Sequence, residues 1–167
     1  MKKSMTSAGV LLLLGTTVAE PLAGAQIELD RIVSRAAGQI ITQSDIRQAR
    51  DLRLVDNVGS DEAVQRALET RLLILHDLGR AAPLSPVASD ALAERRAEWA
   101  ASVGGESQVP ALLARHGMSP GELDTWLRDD LRIRAYLGRQ FGMLPVGERG
   151  RAIDDWLGRL RQRSDLR

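Results

Sequence analysis

Residues 30–46, Asp-Arg-Ile-Val-Ser-Arg-Ala-Ala-Gly-Gln-Ile-Ile-Thr-Gln-Ser-Asp-Ile, constrain the fold of this chain more than any other stretch. Ile32, Val33, Ile40 and Ile41 are β-branched and favour extended backbone. Gly38 lies between the two pairs, where positive φ is cheapest, so the pattern predicts two short strands joined by a turn. Ser44 then offers a side-chain oxygen to the free N–H groups of a helix starting at Asp45.

Beyond this hairpin the spacing of apolar residues is helical. A first helix is expected over 45–55, with Ile46, Ala49, Leu52 and Leu54 as its apolar members and Asn57-Val58-Gly59 as the break. Ser60 caps a second helix over 61–79, and Asp61 and Glu62 complement its dipole. Its stretch 72–75 is apolar nearly all round, which marks a buried central helix ending at 79–83. Ser85-Pro86 reads as the cap and first residue of a third helix, which Gly104-Gly105 ends. A short helix over 108–116 stops at Gly117, and Ser119-Pro120-Gly121-Glu122 forms a capping box for a fifth helix reaching Phe141. A loop over 142–150 leads to a last amphipathic helix over 151–163, carrying Ile153, Trp156, Leu157 and Leu160, and a short polar tail. The expected class is mostly α.

Residues 1–25 have the three parts of a secretory signal in order. Lys2 and Lys3 form the basic start, 8–14 the apolar run, and Ala23-Gly24-Ala25 the cleavage site. The apolar run is shorter than the roughly 20 residues a spanning helix needs, and Glu20 and Pro21 interrupt its continuation. Cleavage after Ala25 leaves one domain, 26–167, without stable membrane insertion. The basic and acidic residues of that domain balance, because both lysines and Glu20 belong to the leader. A neutral, exported chain is a poor partner for nucleic acid, which calls for a basic patch. Every basic residue from 26 onward is arginine; this suits bidentate pairing with carboxylates and equally follows from a GC-rich coding sequence. The chain has no cysteine, so no disulfide framework supports the fold.

The opening run resembles the start of the mature SurA-type periplasmic chaperones, whose signature reads Asp-x-Ile/Val, then Gly-x-Ile/Val-Ile/Val-Thr/Leu-x-Ser-Asp-Ile/Val at the spacing of Asp30 to Ile46. Later pieces are similar in order and spacing to that family's amino-terminal domain. They are Ser85, Asp90, Gly104-Gly105 and Leu113, the run from Gly117 and Ser119 through Leu123, Leu127 and Leu131-Arg132, and the closing Ile153, Trp156-Leu157 and Leu160-Arg161. The resemblance implies a multi-helix domain with an amino-terminal hairpin and a carboxy-terminal helix packing back on it. It also implies a periplasmic holdase that binds unfolded or nascent exported proteins, outer-membrane proteins among them. In that family the parvulin rotamase domains lie between the fifth and the closing helix. A domain of that kind needs on the order of a hundred residues, and only the loop over 142–150 stands there. The chain is therefore expected to be no enzyme, against the isomerase label of the family. A dedicated adaptor or assembly subunit of an envelope complex is the other reading.

The chemistry-bearing residues are few. His76 and His116 lie forty residues apart without further ligands nearby. Asp129-Asp130 and Asp154-Asp155 are adjacent pairs, which a helix turns about 100° apart, so they read as solvated faces. No phosphate loop or nucleophile elbow occurs. No catalytic residue, metal site or cofactor is expected. Trp126 and Trp156 sit on apolar stripes and read as core. Trp99 and Val103 before the Gly-Gly break, and Leu112 and Leu113 after it, form a hairpin-like arm. Its apolar face either closes on the body or stays open to a client peptide, which makes these four the candidate peptide-binding residues.

Overall fold

The computed structural model describes residues 30–56, 59–81 and 86–165. Strands β1 (Ile32–Ala36) and β2 (Gln39–Thr42) form an antiparallel hairpin. Six helices follow: α1 (Gln43–Asp51), α2 (Asp61–Ala81), α3 (Ser89–Ser102), α4 (Val109–Arg115), α5 (Pro120–Phe141) and α6 (Val146–Asp165), with a 3-10 turn at Glu106–Gln108 before α4. The chain is thus mostly helical with one short hairpin. The leader at 1–25, the Asn57-Val58 break, Ser85 and the end of the tail lie outside the described residues.

Ala37 and Gly38 both have positive φ, 51° and 79°, which is the signature of the tight turn whose twist matches a hairpin. The register slips by one residue between Ile32 and Ser34, so Val33 is the extra residue of a bulge. The cap of α1 is Thr42, not Ser44. Thr42 is the last extended residue, its Oγ1 accepts from the Asp45 N–H at 3.2 Å, and its own N–H donates to the Asp45 carboxylate at 2.8 Å. That closes a capping box two residues earlier than the serine would. The Ser44 N–H donates instead to Asp30 at 3.2 Å.

Helix α1 also ends earlier than expected, at Asp51. Leu54 N–H donates to the Ala49 carbonyl at 2.8 Å and Arg53 N–H to Arg50 at 3.0 Å, with Arg53 at φ 48°. This is a Schellman closure with an arginine where glycine is usual. The same pair of bonds ends α3 at Gly104-Gly105, and it ends α4 at Gly117, where Met118 reaches Leu113 at 3.0 Å. Both of those breaks lie where the glycines predicted them.

Helix α5 starts on the capping box of Ser119 and Glu122 and runs to Phe141 as expected. Helix α3 does not start at Ser85-Pro86. It begins at Ser89 behind Ala88, which has no side-chain cap bond, and Asp90 supplies the acidic first turn. Helix α6 begins at Val146, five residues before the predicted start, so the linking loop is four residues, Gly142 to Pro145. Gly147 and Gly150 are poor helix formers, but Arg149 ties this turn down by donating to the carbonyls of Gly142 and Leu144 at 3.0 and 3.2 Å.

Helices α2 and α5 run through the core and each serves two clusters. The first halves of both face the hairpin and α1, or α3 and α4: Val64 and Leu68 pack with Ile41, Ile46 and Ala49, while Leu123 and Leu127 pack with Leu52, Trp99 and Leu113. The second halves, Leu73, Ile74 and Leu78 with Ile133, Tyr136 and Phe141, receive Trp156, Leu157 and Leu160 of α6. Trp156 meets both Tyr136 and Phe141 in tilted ring contacts, at 6.0 and 5.7 Å between centroids. Helix α6 therefore packs back on α2 and α5, and Ala37 of the hairpin turn joins its cluster.

Candidate functional site

The turn that ends α1 is held by two indoles. Trp99 donates its N–H to the Leu52 carbonyl at 2.7 Å, and Trp126 donates to the Leu54 carbonyl at 3.1 Å. The four candidate peptide-binding residues gather around the first of these. Trp99 is 2% exposed and Leu113 3%, with Val103 and Leu112 half-buried beside them in the cluster that α1, α3, α4 and α5 share. The arm thus closes on the body. Ion pairs from α3 to α5, Arg95 to Asp130 and Arg96 to Asp124, both 2.7 Å, fasten it there.

Trp126 has a different setting. It is half-buried, not wholly core, and it forms the floor of a groove between β2, α2 and the first turns of α5. The wider part, about 580 Å³, runs past Leu75, Gly117 and Thr125. The narrower part, about 170 Å³, lies against Ile40, Ile41, Leu54 and Leu68. Gln39, Gln48, Arg71, Leu72 and Trp126 line both parts, so the two adjoin.

Arg71 is the chemical centre of this groove. Its residue is 9% exposed, and its guanidinium carbon lies 3.9 Å from the centre of the Trp126 ring. One N–H donates to the Trp126 carbonyl at 2.8 Å, and Asp129 stands 4.0 Å away. Asp129 is itself held by Arg132 at 3.0 Å. Burial lowers the Arg71 pKa from its ordinary value, opposed by the charges of Asp129 and Asp130. The guanidinium stays a cation there because arginine's ordinary value is so high. Asp129 and Asp130 are thus half-buried members of ion pairs, not the solvated face expected of them; Asp130 joins Arg95 and Arg134. Asp154 and Asp155 are exposed.

A second cleft of about 360 Å³ lies between the hairpin turn, α2 and α6, lined by Gly38, His76, Asp77, Arg80 and Arg163. Asp77 accepts from the Tyr136 hydroxyl at 2.8 Å. Burial, and then the bond to Asp77, raise the Tyr136 pKa above its ordinary value. The two histidines are not brought together: His76 is exposed in this cleft, while His116 faces Asp51 at 3.5 Å. Among the described residues there is no group of three or more His, Asp or Glu placed to hold a metal ion.

Arg71 had a signal in the sequence. Val64, Leu68, Arg71, Leu75 and Leu78 follow spacings of four, three, four and three, so one charged residue interrupts a buried stripe. A buried arginine needs a partner, and Trp126 and Asp129 lie more than fifty residues further along.

Comparison of the chain with protein-family models, with curated proteins and with solved structures finds no match. No helix among the described residues is long and apolar enough to cross a membrane.

Proposed function

We propose that this chain is an exported holdase-type chaperone domain of the SurA kind. It binds unfolded or extended polypeptide segments in the periplasm and keeps them from pairing with one another, with outer-membrane proteins as clients. The observation that carries this reading is the groove of two adjoining parts, both lined by Trp126, beside the hairpin of residues 30–46. It combines apolar walls, amide side chains, one cation at Arg71 and the carboxylates of Asp45, Glu122 and Asp129. It also lies next to the segment whose order of residues resembles the chaperone signature. A sequence-tolerant binder needs such a mixed, adaptable surface. The groove takes the place of the arm at Trp99, Val103, Leu112 and Leu113 as the proposed client surface, since that arm is closed in the core.

The activity proposed is binding without catalysis. The four residues between α5 and α6 leave no space for a rotamase domain where the family resemblance would put one. The test is light scattering by an unfolded outer-membrane protein diluted from denaturant, with and without the mature chain. Suppression at several-fold excess is the expected result, and undiminished aggregation would overturn the reading. A proline-peptide isomerisation assay run beside it is expected to show no acceleration. Recovery of one tight stoichiometric complex from envelope extract, with no suppression of aggregation, would favour an adaptor.

A further inference from the structure

We propose that the groove is a receptor for the free carboxy-terminus of an extended polypeptide whose last residue is apolar, with Arg71 binding the terminal carboxylate. This rests on the polypeptide-binding reading above and specifies its occupant.

Three features converge on the narrow part of the groove. The first is an incompletely matched cation. A guanidinium has five N–H donors; among the described residues Arg71 spends one on the Trp126 carbonyl, and its nearest carboxylate, Asp129, stands 4.0 Å off. The guanidinium lies over the Trp126 ring, 3.9 Å from its centre, and a guanidinium held in place can meet a carboxylate with two parallel bonds. The other carboxylates on the walls, Asp45 and Glu122, are tied into the capping boxes of α1 and α5.

The second feature is the 170 Å³ pocket at the side of Arg71, walled by Ile41, Ala49, Leu54, Leu68 and Leu72, which has room for a single apolar side chain. The third is the outer edge of β2, which no strand pairs among the described residues. Ala36 and Gln39 flank the two-residue turn and form the hydrogen-bonded pair, so Ile40, one residue on, is a non-hydrogen-bonded position. Its N–H and C=O point away from β1, and the residue is 47% exposed. An extended chain can add there by main-chain bonding. An acidic side chain offers a carboxylate without an apolar group on the same residue. A terminal leucine or phenylalanine offers both at once, at the spacing of a fork beside a pocket.

The experiment titrates the mature protein with one labelled peptide sequence ending in leucine, read by fluorescence anisotropy. The peptide is made as the free acid, as the carboxy-terminal amide, and as the amide with an internal aspartate. Loss of a charge-assisted pair predicts that the free acid binds about ten- to a hundredfold tighter than the amide. Arg71→Met is expected to abolish that difference and Arg71→Lys to keep part of it, since lysine keeps the charge without the fork. Equal binding of acid and amide to the unaltered protein overturns the proposal, whatever the variants do. Binding of the internal-aspartate amide as tightly as the free acid also overturns it, in favour of an acidic segment. If aggregation is still suppressed while acid and amide bind alike, this inference alone fails. If aggregation is not suppressed and no peptide binds, the reading beneath it fails.

Discussion

The indole N–H of Trp99 meets the carbonyl of Leu52 at 2.7 Å, across 47 residues of chain and inside the core. The bond satisfies a carbonyl left open where α1 ends, so the same side chain fills the cluster shared by α1, α3, α4 and α5 and fastens the exit of α1 to α3. Trp99→Phe keeps most of the volume but leaves the buried carbonyl unpaired, at a cost of about 1–3 kcal/mol. Trp99→Ala adds the loss of packing and should cost about 3–5 kcal/mol. Urea unfolding of the two variants gives both numbers. Equal losses would mean that ring packing adds nothing beyond the hydrogen bond, and no loss in Trp99→Phe would mean that the bond contributes nothing separable from packing.

Arg53 sits at φ 48° in a closure that two other helices build on glycine. A left-handed conformation costs an ordinary L-residue about 1–2 kcal/mol, partly offset here because glycine has more unfolded freedom to lose. Arg53→Gly is therefore expected to stabilise by about 0.5–1 kcal/mol. Gly117→Ala, at φ 62° and with nothing within 4 Å of an added Cβ, should destabilise by about 1 kcal/mol through backbone strain alone. A rise in thermal midpoint for the first and a fall for the second is the pair of outcomes to look for.

These positions show what was legible in the sequence. The hairpin, the buried centre of α2, the capping box of α5 and the glycine exits of α3 and α4 each depend on residues within one turn of each other, and local spacing suffices to find them. The start of α6 has no local signal, because Gly147 and Gly150 argue against helix. What fixes that turn includes Arg149 reaching back to Gly142 and Leu144. Ser44 carries the same local cap signal as Thr42, and what separates them is that Thr42 is both the last residue of β2 and the cap of α1. The groove was not legible at all as a site. Arg71 marks a break in a buried stripe, but its meeting with Trp126 depends on how α2 crosses α5, which no local pattern states. The closed arm is the converse. The spacing of Trp99 is compatible with a closed or an open arm, and what closes it is the carbonyl of Leu52, just past the end of α1 and 47 residues away.

Gly138 of α5 and Gly150 of α6 are exposed, helical, and have nothing within 4 Å of an added Cβ. Alanine at either should stabilise by about 0.5–1 kcal/mol by restricting the unfolded chain and improving helix propensity. The two sites lie on different helices without shared partners, so the double variant should show the sum within about 0.5 kcal/mol. Chemical denaturation midpoints with unchanged slope would check both the sign and the additivity.

The pH dependence follows from three carboxylates at helix starts. Hydrogen bonds from the backbone and side chain of Ser119 lower the Glu122 pKa. Glu62 is lowered by its own backbone N–H and by Ser60, and Asp30 chiefly by the Thr42 side chain, then by Ser44. Each pKa is lower folded than unfolded, so the ionised form stabilises the fold. That contribution is complete above the ordinary carboxylate values and is lost as the pH falls through the depressed ones. The thermal midpoint should therefore be flat near neutrality and fall below about pH 4.5, the ordinary range of these groups. Glu122→Gln removes one of the three titrations while keeping a side chain that can accept from the Ser119 N–H. It should lower the midpoint at neutral pH and reduce the difference from the unaltered protein as the pH drops. A difference that stays constant from neutral pH to strong acid would show that the Glu122 cap does not titrate with folding.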